Sequence, residues 1–402
     1  MRKSEQLGLG SLLLYNIVVF AWFVSPCGAT DIPIKRFQMD EVWKIDDEED
    51  GFLFGEIEDL LIDKDGTVFV LDSQLANVKV FSAEGQYLRT IGREGDGPGE
   101  VRAPGDLVFM PDGSLGLVSK LNWKIAKIDK ETGDVRGDVR ALGLDGNLTS
   151  LHQVRGSWRS GGSNNFTALV TESTGQFWHW RMYLALYWDK NDGQNIFPEK
   201  ILCDVGEAQG SDIEEEEFFS IWDPWAIDSF GRTVIAPYWG SYTLRYYDVH
   251  GELVTQVELP YLQRDRSDKE KKRLLEKVWG GTSPEKFGVD LIISKTEAVV
   301  RRIHPRPNGR LWIQTGNSAY NVGDGVFRVY DVVGPDGDLE FKAEIHGHAD
   351  DLVDKVYFGP GDLIVIVHGA ERYVQNHRGL KKNATEYDLL IAGYRLREIA
   401  DD

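Results

Sequence analysis

Residues 59–91 hold the stretch that decides the fold: DLLIDKDGTVFVLD at 59–72 is followed by VKVFSAEGQYLRTI at 78–91. Each half is a pair of apolar runs around a glycine turn. This pattern predicts two β-hairpins, because glycine accepts the positive φ of such turns. The next unit repeats the layout, with DLVFMPDGSLGLVS at 106–119 and KIAKIDKETGDVRGDV at 124–139. The first turn glycines, Gly66 and Gly113, are 47 residues apart (113 − 66).

Altered copies of this unit follow along the chain, starting at Trp225, Ile303 and Lys355, and residues 151–202 hold a degenerate copy. A four-stranded repeat of this length is the sequence signature of a propeller blade, and the count gives six. The last unit lacks its second hairpin. We therefore expect the strand-like segment FQMDEVWKID at 37–46 to supply the outer strand of blade 6, which would remove exposed sheet edges. Two separate β domains are the alternative.

The sequence thus predicts an all-β, six-bladed β-propeller with four-stranded blades over residues 37–399, closed by its N-terminal strand. A helical insertion at 261–300 is expected between blades 4 and 5. Within it, DRSDKEKKRLLEKVW at 265–279 is amphipathic, with Leu274, Leu275, Val278 and Trp279 on one side. This helix is either a cap over apolar edges or a lid over a site.

Residues 70–113, VLDSQLANVKVFSAEGQYLRTIGREGDGPGEVRAPGDLVFMPDG, resemble the NHL-repeat group of propellers, and most of all its secreted bacterial six-bladed branch. The most specific piece is GREGDGPGE at 92–100, followed by Pro104. The resemblance implies a propeller fold and an extracytoplasmic setting. It implies no single activity, because the relatives include binding modules, protein-interaction modules and a few metal-dependent enzymes.

Residues 1–29 have the layout of a secretory signal peptide or an N-terminal anchor. Arg2 and Lys3 precede an apolar run at 7–24, and cleavage is expected after Ala29. Cys27 raises a lipoprotein alternative, although Pro26 before it departs from the bacterial lipobox. We predict a periplasmic, envelope-associated or secreted protein that contacts membrane only through this segment, if the segment is uncleaved or lipidated.

Composition excludes several classes of function. The net charge of −20 argues against nucleic acid as a partner, because phosphate contacts need Lys and Arg. The chain has two cysteines, so cleavage after Ala29 would leave Cys203 without an intramolecular disulfide partner. The zincin, Walker and nucleophile-elbow motifs are all missing from the sequence.

The longest loops are expected at the end of the ring where the innermost strands start, here called the top face. Aromatic residues gather in these loops, and aromatic rings suit sugars, peptides and cations. The alternative is that they pack between blades. The predicted ligand-binding residues are Trp178, Trp180, Trp225, Trp239, Arg302 and Tyr320.

A cation site in the central channel is a second expectation. Seven residues before each first turn glycine lie Asp59, Asp106, Arg302 and Asp354, with Pro224 in blade 4. The three carboxylates could hold Ca²⁺ or another divalent cation, or could simply cap strand ends. His152 and His304, on predicted inner strands, are further candidate ligands.

These observations favour a monomeric binding or interaction module for a protein, peptide or carbohydrate over an enzyme. The alternative is a metal-dependent lyase or lactonase-type hydrolase, in which a channel cation polarises a carbonyl or activates water. A purely structural scaffold is a third reading.

Overall fold

The computed structural model describes eleven segments of the chain: residues 32–46, 54–160, 163–173, 179–189, 194–209, 212–218, 222–279, 290–320, 322–350, 353–370 and 389–400. The predicted leader at 1–29 and Trp178 lie outside these segments. Within them, no helix is long and apolar enough to cross a membrane.

The chain is an all-β, six-bladed propeller whose blades follow one another along the sequence. Strand β1 (Ile34–Asp46) comes first in the chain but belongs to the last blade. Blade 1 contains β2 (Ile57–Ile62), β3 (Val68–Asp72), β4 (Asn77–Phe81) and β5 (Tyr87–Ile91). Blade 2 contains β6 (Pro104–Phe109), β7 (Leu115–Ser119), β8 (Lys124–Ile128) and β9 (Val135–Ala141). Blade 3 contains β10 (Ser150–Ser160), β11 (Ser163–Ser173), β12 (His179–Asp189) and β13 (Asn195–Gln209).

The second half of the ring contains two short insertion strands besides its blades. The first insertion contains β14 (Asp212–Glu214) and the helix α1 (Glu215–Phe218). Blade 4 contains β15 (Trp225–Ile227), β16 (Thr233–Ile235), β17 (Thr243–Tyr247) and β18 (Leu253–Glu258). The second insertion contains α2 (Asp268–Trp279) and β19 (Asp290–Ile292). Blades 5 and 6 contain β20 (Val300–Pro305), β21 (Leu311–Thr315), β22 (Val326–Val333) and β23 (Leu339–His346); and β24 (Lys355–Phe358), β25 (Leu363–His368) and β26 (Leu390–Ile399).

The second strands of blades 1, 2 and 5 are buried on both faces because neighbouring blades cover them. All five residues of β3 and of β7 are buried, as are all five residues of β21. The Asp-Gly turns that precede these strands fold as the sequence predicts, with Gly66 at φ 89° and Gly113 at φ 86°. The core therefore consists of apolar layers between neighbouring blades.

The ring closes through β1, as predicted from the strand-like segment at 37–46. β1 pairs antiparallel with β26, from Arg36 opposite Ile399 to Asp46 opposite Leu390. Trp43 of β1 is buried against Gly393 of β26 and Gly85 of blade 1, and its indole Nε1 donates to the Ala83 carbonyl at 2.9 Å.

The predicted insertion between blades 4 and 5 contains α2, which begins three residues later than the amphipathic pattern suggested. Ser267 caps the helix, because its hydroxyl accepts from the Glu270 N–H at 3.3 Å while the Glu270 carboxylate accepts from the Ser267 N–H at 2.8 Å. A buried ion pair ties the two insertions together: the Arg266 guanidinium donates to both carboxylate oxygens of Glu215, at 2.6 and 2.9 Å. β14 and β19 pair in parallel beside it.

Candidate functional site

The innermost strands of blades 1, 2, 3 and 5 each carry a register shift, which fixes the alternation of side chains after it. Register shifts occur at Ile57/Asp59, Pro104/Asp106, Leu151/Gln153 and Val300/Arg302. The residue after each bulge therefore has the same register position in its blade. Asp59, Asp106 and Gln153 are spaced by 47 residues (106 − 59 and 153 − 106). Gln153 was missed from the sequence, although this spacing could have identified it.

Asp59 and Asp106 bridge the inner edges of successive blades. The Asp59 carboxylate accepts from the Leu107 N–H at 3.1 Å, and the Asp106 carboxylate accepts from the Val154 N–H at 2.6 Å. Both partners sit at the free edge of an inner strand, where no further strand can accept the N–H. The two carboxylates thus satisfy backbone donors that would otherwise be buried without a partner.

Asp106 is the more perturbed of the pair, with 4% of its surface exposed. Burial and then the negative charge of Asp59 raise the pKa of Asp106 well above its usual value. The positive charge of Arg155 and the hydrogen bond from Val154 oppose this shift without cancelling it. Two neighbouring carboxyl groups in a buried setting resist full ionisation, so this pair favours retention of a proton.

In blade 6 the equivalent position belongs to Lys355 and not to Asp354, which corrects the alignment made from the sequence. Gly361 is the third residue of its turn, between Phe358 and Ile364, whereas Gly66 is the fourth, between Ile62 and Val68. Counting back seven residues from Gly361 therefore ends at Asp354, one residue before the position equivalent to Asp59. The Lys355 ammonium donates to the carbonyls of Ile57 and Glu58, at 3.3 and 3.2 Å, across the seam between blades 6 and 1.

The Asp354 carboxylate forms its hydrogen bonds with blade 6 and the loop that precedes it. It accepts from the N–H groups of Asp350 and Gly369, both at 2.8 Å, and lies 2.9 Å from His368 Nδ1. Burial would raise the pKa of Asp354, but these hydrogen bonds outweigh it and the pKa is lowered. The three predicted carboxylate ligands therefore do not share one point. Among all the residues that the structure describes, no three His, Cys, Asp or Glu side chains gather as a metal-binding group.

Three pairs of contacting side chains come from the inner strands of blades 1, 3 and 5 and from the loops next to blades 2 and 4. The Lys120 ammonium donates to Glu58 at 2.8 Å, and the Arg302 guanidinium donates to Asp223 at 2.9 Å. His152 packs on Trp222 with ring centroids 5.2 Å apart. We call these six residues the mouth ring: Glu58, Lys120, His152, Trp222, Asp223 and Arg302.

The mouth ring combines charged pairs with a neutral imidazole. Burial and then the charge of Lys120 lower the pKa of His152 to about 4, so its ring is uncharged at neutral pH. The negative charge of Asp223 raises the pKa of Arg302. About a third of each side chain in the Arg302–Asp223 pair is exposed, 36% and 37%, so both ends of the pair can be reached from solvent.

The predicted aromatic ligands are distributed differently. Trp225 is a core residue, 1% exposed and packed between blades 3 and 4 beside Leu169 and Leu184, which corrects its assignment as a ligand-binding residue. Trp180 lies in β12 opposite Ala208, and its side chain is outside the described part of the structure.

Trp239 and Tyr320 lie beside the insertion rather than in the mouth ring. The Arg266 guanidinium is 5.9 Å from the Trp239 ring, and the Arg264 guanidinium is 3.7 Å from the ring of Tyr320. Of the predicted ligand residues, Arg302 alone is part of the mouth ring. His152 is predicted from the sequence only as a candidate cation ligand, and its contact with Trp222 is seen only in the structure.

This architecture defines a six-bladed β-propeller with a polar, partly exposed channel mouth. A family model, DUF5128, described as a 6-bladed beta-propeller, matches residues 47–127. No curated protein matches the chain.

Solved structures give distant matches. A member of the DUF4221 family from Bacteroides vulgatus is 10% identical, covering 90% of this chain and 99% of that chain, with a TM-score of 0.48. A catalytically inactive virginiamycin B lyase from Staphylococcus aureus with quinupristin is 12% identical, covering 85% and 80%, with a TM-score of 0.39. A gluconolactonase from Xanthomonas campestris is 12% identical, covering 82% of each chain, with a TM-score of 0.39. These matches are too distant to carry an argument about function.

Proposed function

We propose that this protein is an exported binding module that takes a small polar ligand, such as a sugar or a peptide end, at the mouth ring. The observation that carries the proposal is the partly exposed Arg302–Asp223 pair, which is linked to the neutral His152 through Trp222, the chain neighbour of Asp223. A guanidinium, a carboxylate and an imidazole together offer donors and acceptors at the end of one channel. Such convergent polar groups next to an aromatic ring are typical of small-molecule sites.

Trp222 supports the same proposal. Its ring lies against His152 and is half-buried, so one part is fixed by packing while another remains reachable. A fixed aromatic face binds the apolar side of a sugar or a peptide group without a large loss of side-chain entropy. The mixture of charges also suits an uncharged or zwitterionic ligand better than a polyanion.

The lyase or lactonase alternative receives less support from the described residues. Asp59 and Asp106 each use a carboxylate oxygen on the next blade, and Asp354 is in contact with His368 and Gly369 of blade 6 and with Asp350 of the loop before it. An enzyme of this kind would need open oxygen or nitrogen ligands for its cation. Metal analysis of the purified protein tests the alternative: one tightly held divalent ion, released by Asp106→Ala, would favour catalysis.

The extracytoplasmic setting and the kinship with secreted NHL-type propellers are parts of this proposal. They rest on the leader-like composition of residues 1–29 and on the repeat at 70–113. Expression of the full chain with a C-terminal tag, followed by N-terminal sequencing of the exported product, tests the setting. A product that begins at Thr30 supports cleavage after Ala29.

The binding site is tested by isothermal titration calorimetry with a panel of monosaccharides, sugar acids and dipeptides. We expect one class to bind the wild-type protein and Arg302→Gln to weaken that binding about tenfold or more, since a lost charged hydrogen bond costs ~1.5–3 kcal/mol. The matched control is Arg395→Gln, which breaks an exposed pair between Arg395 of β26 and Asp362. Equal binding by both variants would place the ligand elsewhere.

A further inference from the structure

The turn between β7 and β8 exposes two large apolar side chains. Residues 120–123 join the second and third strands of blade 2, so this turn lies at the top face. Leu121 is 66% exposed and Trp123 is 46% exposed. Single exposed apolar residues are common in proteins, but two on one short turn form a small apolar surface that calls for an explanation.

The backbone of this turn makes a tryptophan costly. Trp123 has a φ of 49°, in the left-handed region that bulky L-residues rarely adopt. The strand pairing places Ala76 at the equivalent position of blade 1, 47 residues earlier (123 − 76), with the same φ of 49°. Ala76 is buried, and the residue equivalent to Leu121 is the polar Gln74. The turn can therefore form without an exposed indole, so packing and turn geometry do not explain Trp123.

Hydrogen bonds hold the turn in place. The Asn122 side-chain amide donates to the Gly95 carbonyl at 3.3 Å. The Lys124 ammonium, which is buried, donates to the Gly97 carbonyl at 2.7 Å and to the Asp138 carboxylate at 2.9 Å. Because the turn is fixed before any ligand arrives, its side chains lose little conformational freedom on binding.

Lys120 connects the turn to the mouth ring. Its side chain crosses the inner strand β6 at Gly105, where a Cβ would collide with the Lys120 Cε. It reaches Glu58 of blade 1, with 2.8 Å between the ammonium and the carboxylate. Its charge also contributes to the lowered pKa of His152, after burial. The two exposed apolar side chains thus follow directly on a residue of the mouth ring.

We propose that Leu121 and Trp123 form an apolar subsite beside the mouth ring that binds one sugar ring of a neutral oligosaccharide. The inference rests on the proposed function, because it names the class of ligand that the mouth ring takes and extends it outward. An exposed indole face packs against the apolar face of a sugar ring. Since the Lys120 side chain spans the distance from the turn to Glu58, a ligand that touches both is longer than one ring.

A neutral sugar chain suits this surface better than a protein or a charged polymer. Two apolar side chains offer far less than the roughly 800 Å² per partner that a stable protein interface buries. A protein with a net charge of −20 repels polyanions. The nearby cations Arg93 and Arg102 are paired with Glu100 and Asp96, both at 2.8 Å, so they create no local positive surface that would reverse this.

Isothermal titration calorimetry with chain-length series tests the subsite. The probes are gluco-, manno- and xylo-oligosaccharides, from the single sugar to the tetrasaccharide. We expect the wild-type protein to bind the longer members of one series about tenfold more tightly than the single sugar. Trp123→Gly removes the indole at a φ that glycine adopts freely and should abolish this gain. The matched control is Ala76→Gly, the same backbone change in blade 1, which should retain it.

Thermal unfolding separates a binding role of Trp123 from a structural one. Trp123→Gly should leave the melting temperature unchanged or raise it by about 1–2 °C, because relief of the left-handed strain offsets the greater freedom of glycine in the unfolded chain. Truncation of a side chain that the core needs lowers the melting temperature instead. A fall of more than about 4 °C would assign Trp123 to packing and overturn the proposal.

A third measurement requires no variant. N-bromosuccinimide oxidises exposed indoles, and the tryptic peptide 121–124 contains Trp123 as its only tryptophan. Mass spectrometry of this peptide should show rapid oxidation in the free protein and severalfold slower oxidation when the tetrasaccharide is bound. Equal rates with and without the tetrasaccharide would overturn the proposal, as would binding by none of the oligosaccharides.

Arg302→Gln distinguishes failure of the subsite from failure of the mouth ring. If Trp123→Gly abolishes the gain with chain length while Arg302→Gln changes nothing, the subsite stands and the mouth ring does not bind the ligand. If Arg302→Gln weakens binding while Trp123→Gly keeps the full gain, the mouth ring stands and the subsite is refuted. Loss of affinity in both variants supports both.

Discussion

Replacing Asp106 by Ala and by Asn should have very different effects on stability. Asp106 is 4% exposed and accepts from the Val154 N–H at 2.6 Å. Alanine leaves that buried donor without a partner and leaves Arg155 without the nearby carboxyl group, which we expect to cost about 2–3 kcal/mol. Asparagine keeps an acceptor oxygen in the same place and adds an amide that can donate to Asp59. It should therefore cost little at acid pH.

The pH dependence follows from the raised pKa of Asp106. A carboxyl group whose pKa is higher in the folded than in the unfolded state stabilises the fold fully below the unfolded value of 3.8. That contribution is lost as the pH rises towards and through the folded pKa. Asparagine does not titrate, so Asp106→Asn should gain stability relative to wild type between pH 4 and pH 8.

Urea unfolding followed by tryptophan fluorescence at these two pH values measures both effects, with each buffer containing EDTA to remove any bound cation. The reasoning fails if the alanine and asparagine variants are equally destabilised. It also fails if the difference between wild type and Asp106→Asn is the same at both pH values. A matched control is Asp362→Asn, which alters an exposed carboxylate paired with Arg395.

Three further predictions concern the seam and the insertion. Trp43→Ala should destabilise the ring by about 3–5 kcal/mol in urea unfolding, because it empties the space beside Gly85; full stability would show that β1 is dispensable. Lys355→Met should cost about 1–2 kcal/mol in the same assay through its lost hydrogen bonds between blades 6 and 1, and an unchanged midpoint would contradict this. Glu215→Gln should leave buried Arg266 with Glu297, at 3.6 Å, as its remaining counter-charge among the described residues and speed hydrogen exchange in the insertion, whereas Glu217→Gln, at an exposed carboxylate of the same helix, should not.

The fold could be predicted because its determinants are local and repeated. The 47-residue spacing of Gly66 and Gly113 fixes hairpin turns, and the apolar runs between them fix strands. The missing hairpin at the end of the chain was sufficient to assign β1 to blade 6. Here each short-range pattern agrees with the global ring, so the sequence could be interpreted one blade at a time.

The site was harder to predict because it depends on contacts between blades. Asp354 was misaligned by one position, since the turn around Gly361 is arranged differently from the others. Trp225 is of a residue type that often contacts ligands, but the neighbouring blade covers it.

Closure through β1 also means that two paired strands, β1 and β26, are synthesised at very different times. Asp40 of β1 forms an ion pair with Arg397 of β26, 357 residues later. At ordinary rates of translation, about 20 to 70 seconds separate the appearance of these two residues. For that interval β1 lacks its antiparallel partner β26, and its unpaired hydrogen-bonding edge could pair with another chain. The final step of folding is therefore the one most exposed to misassembly, and a holding chaperone would be most useful at this strand.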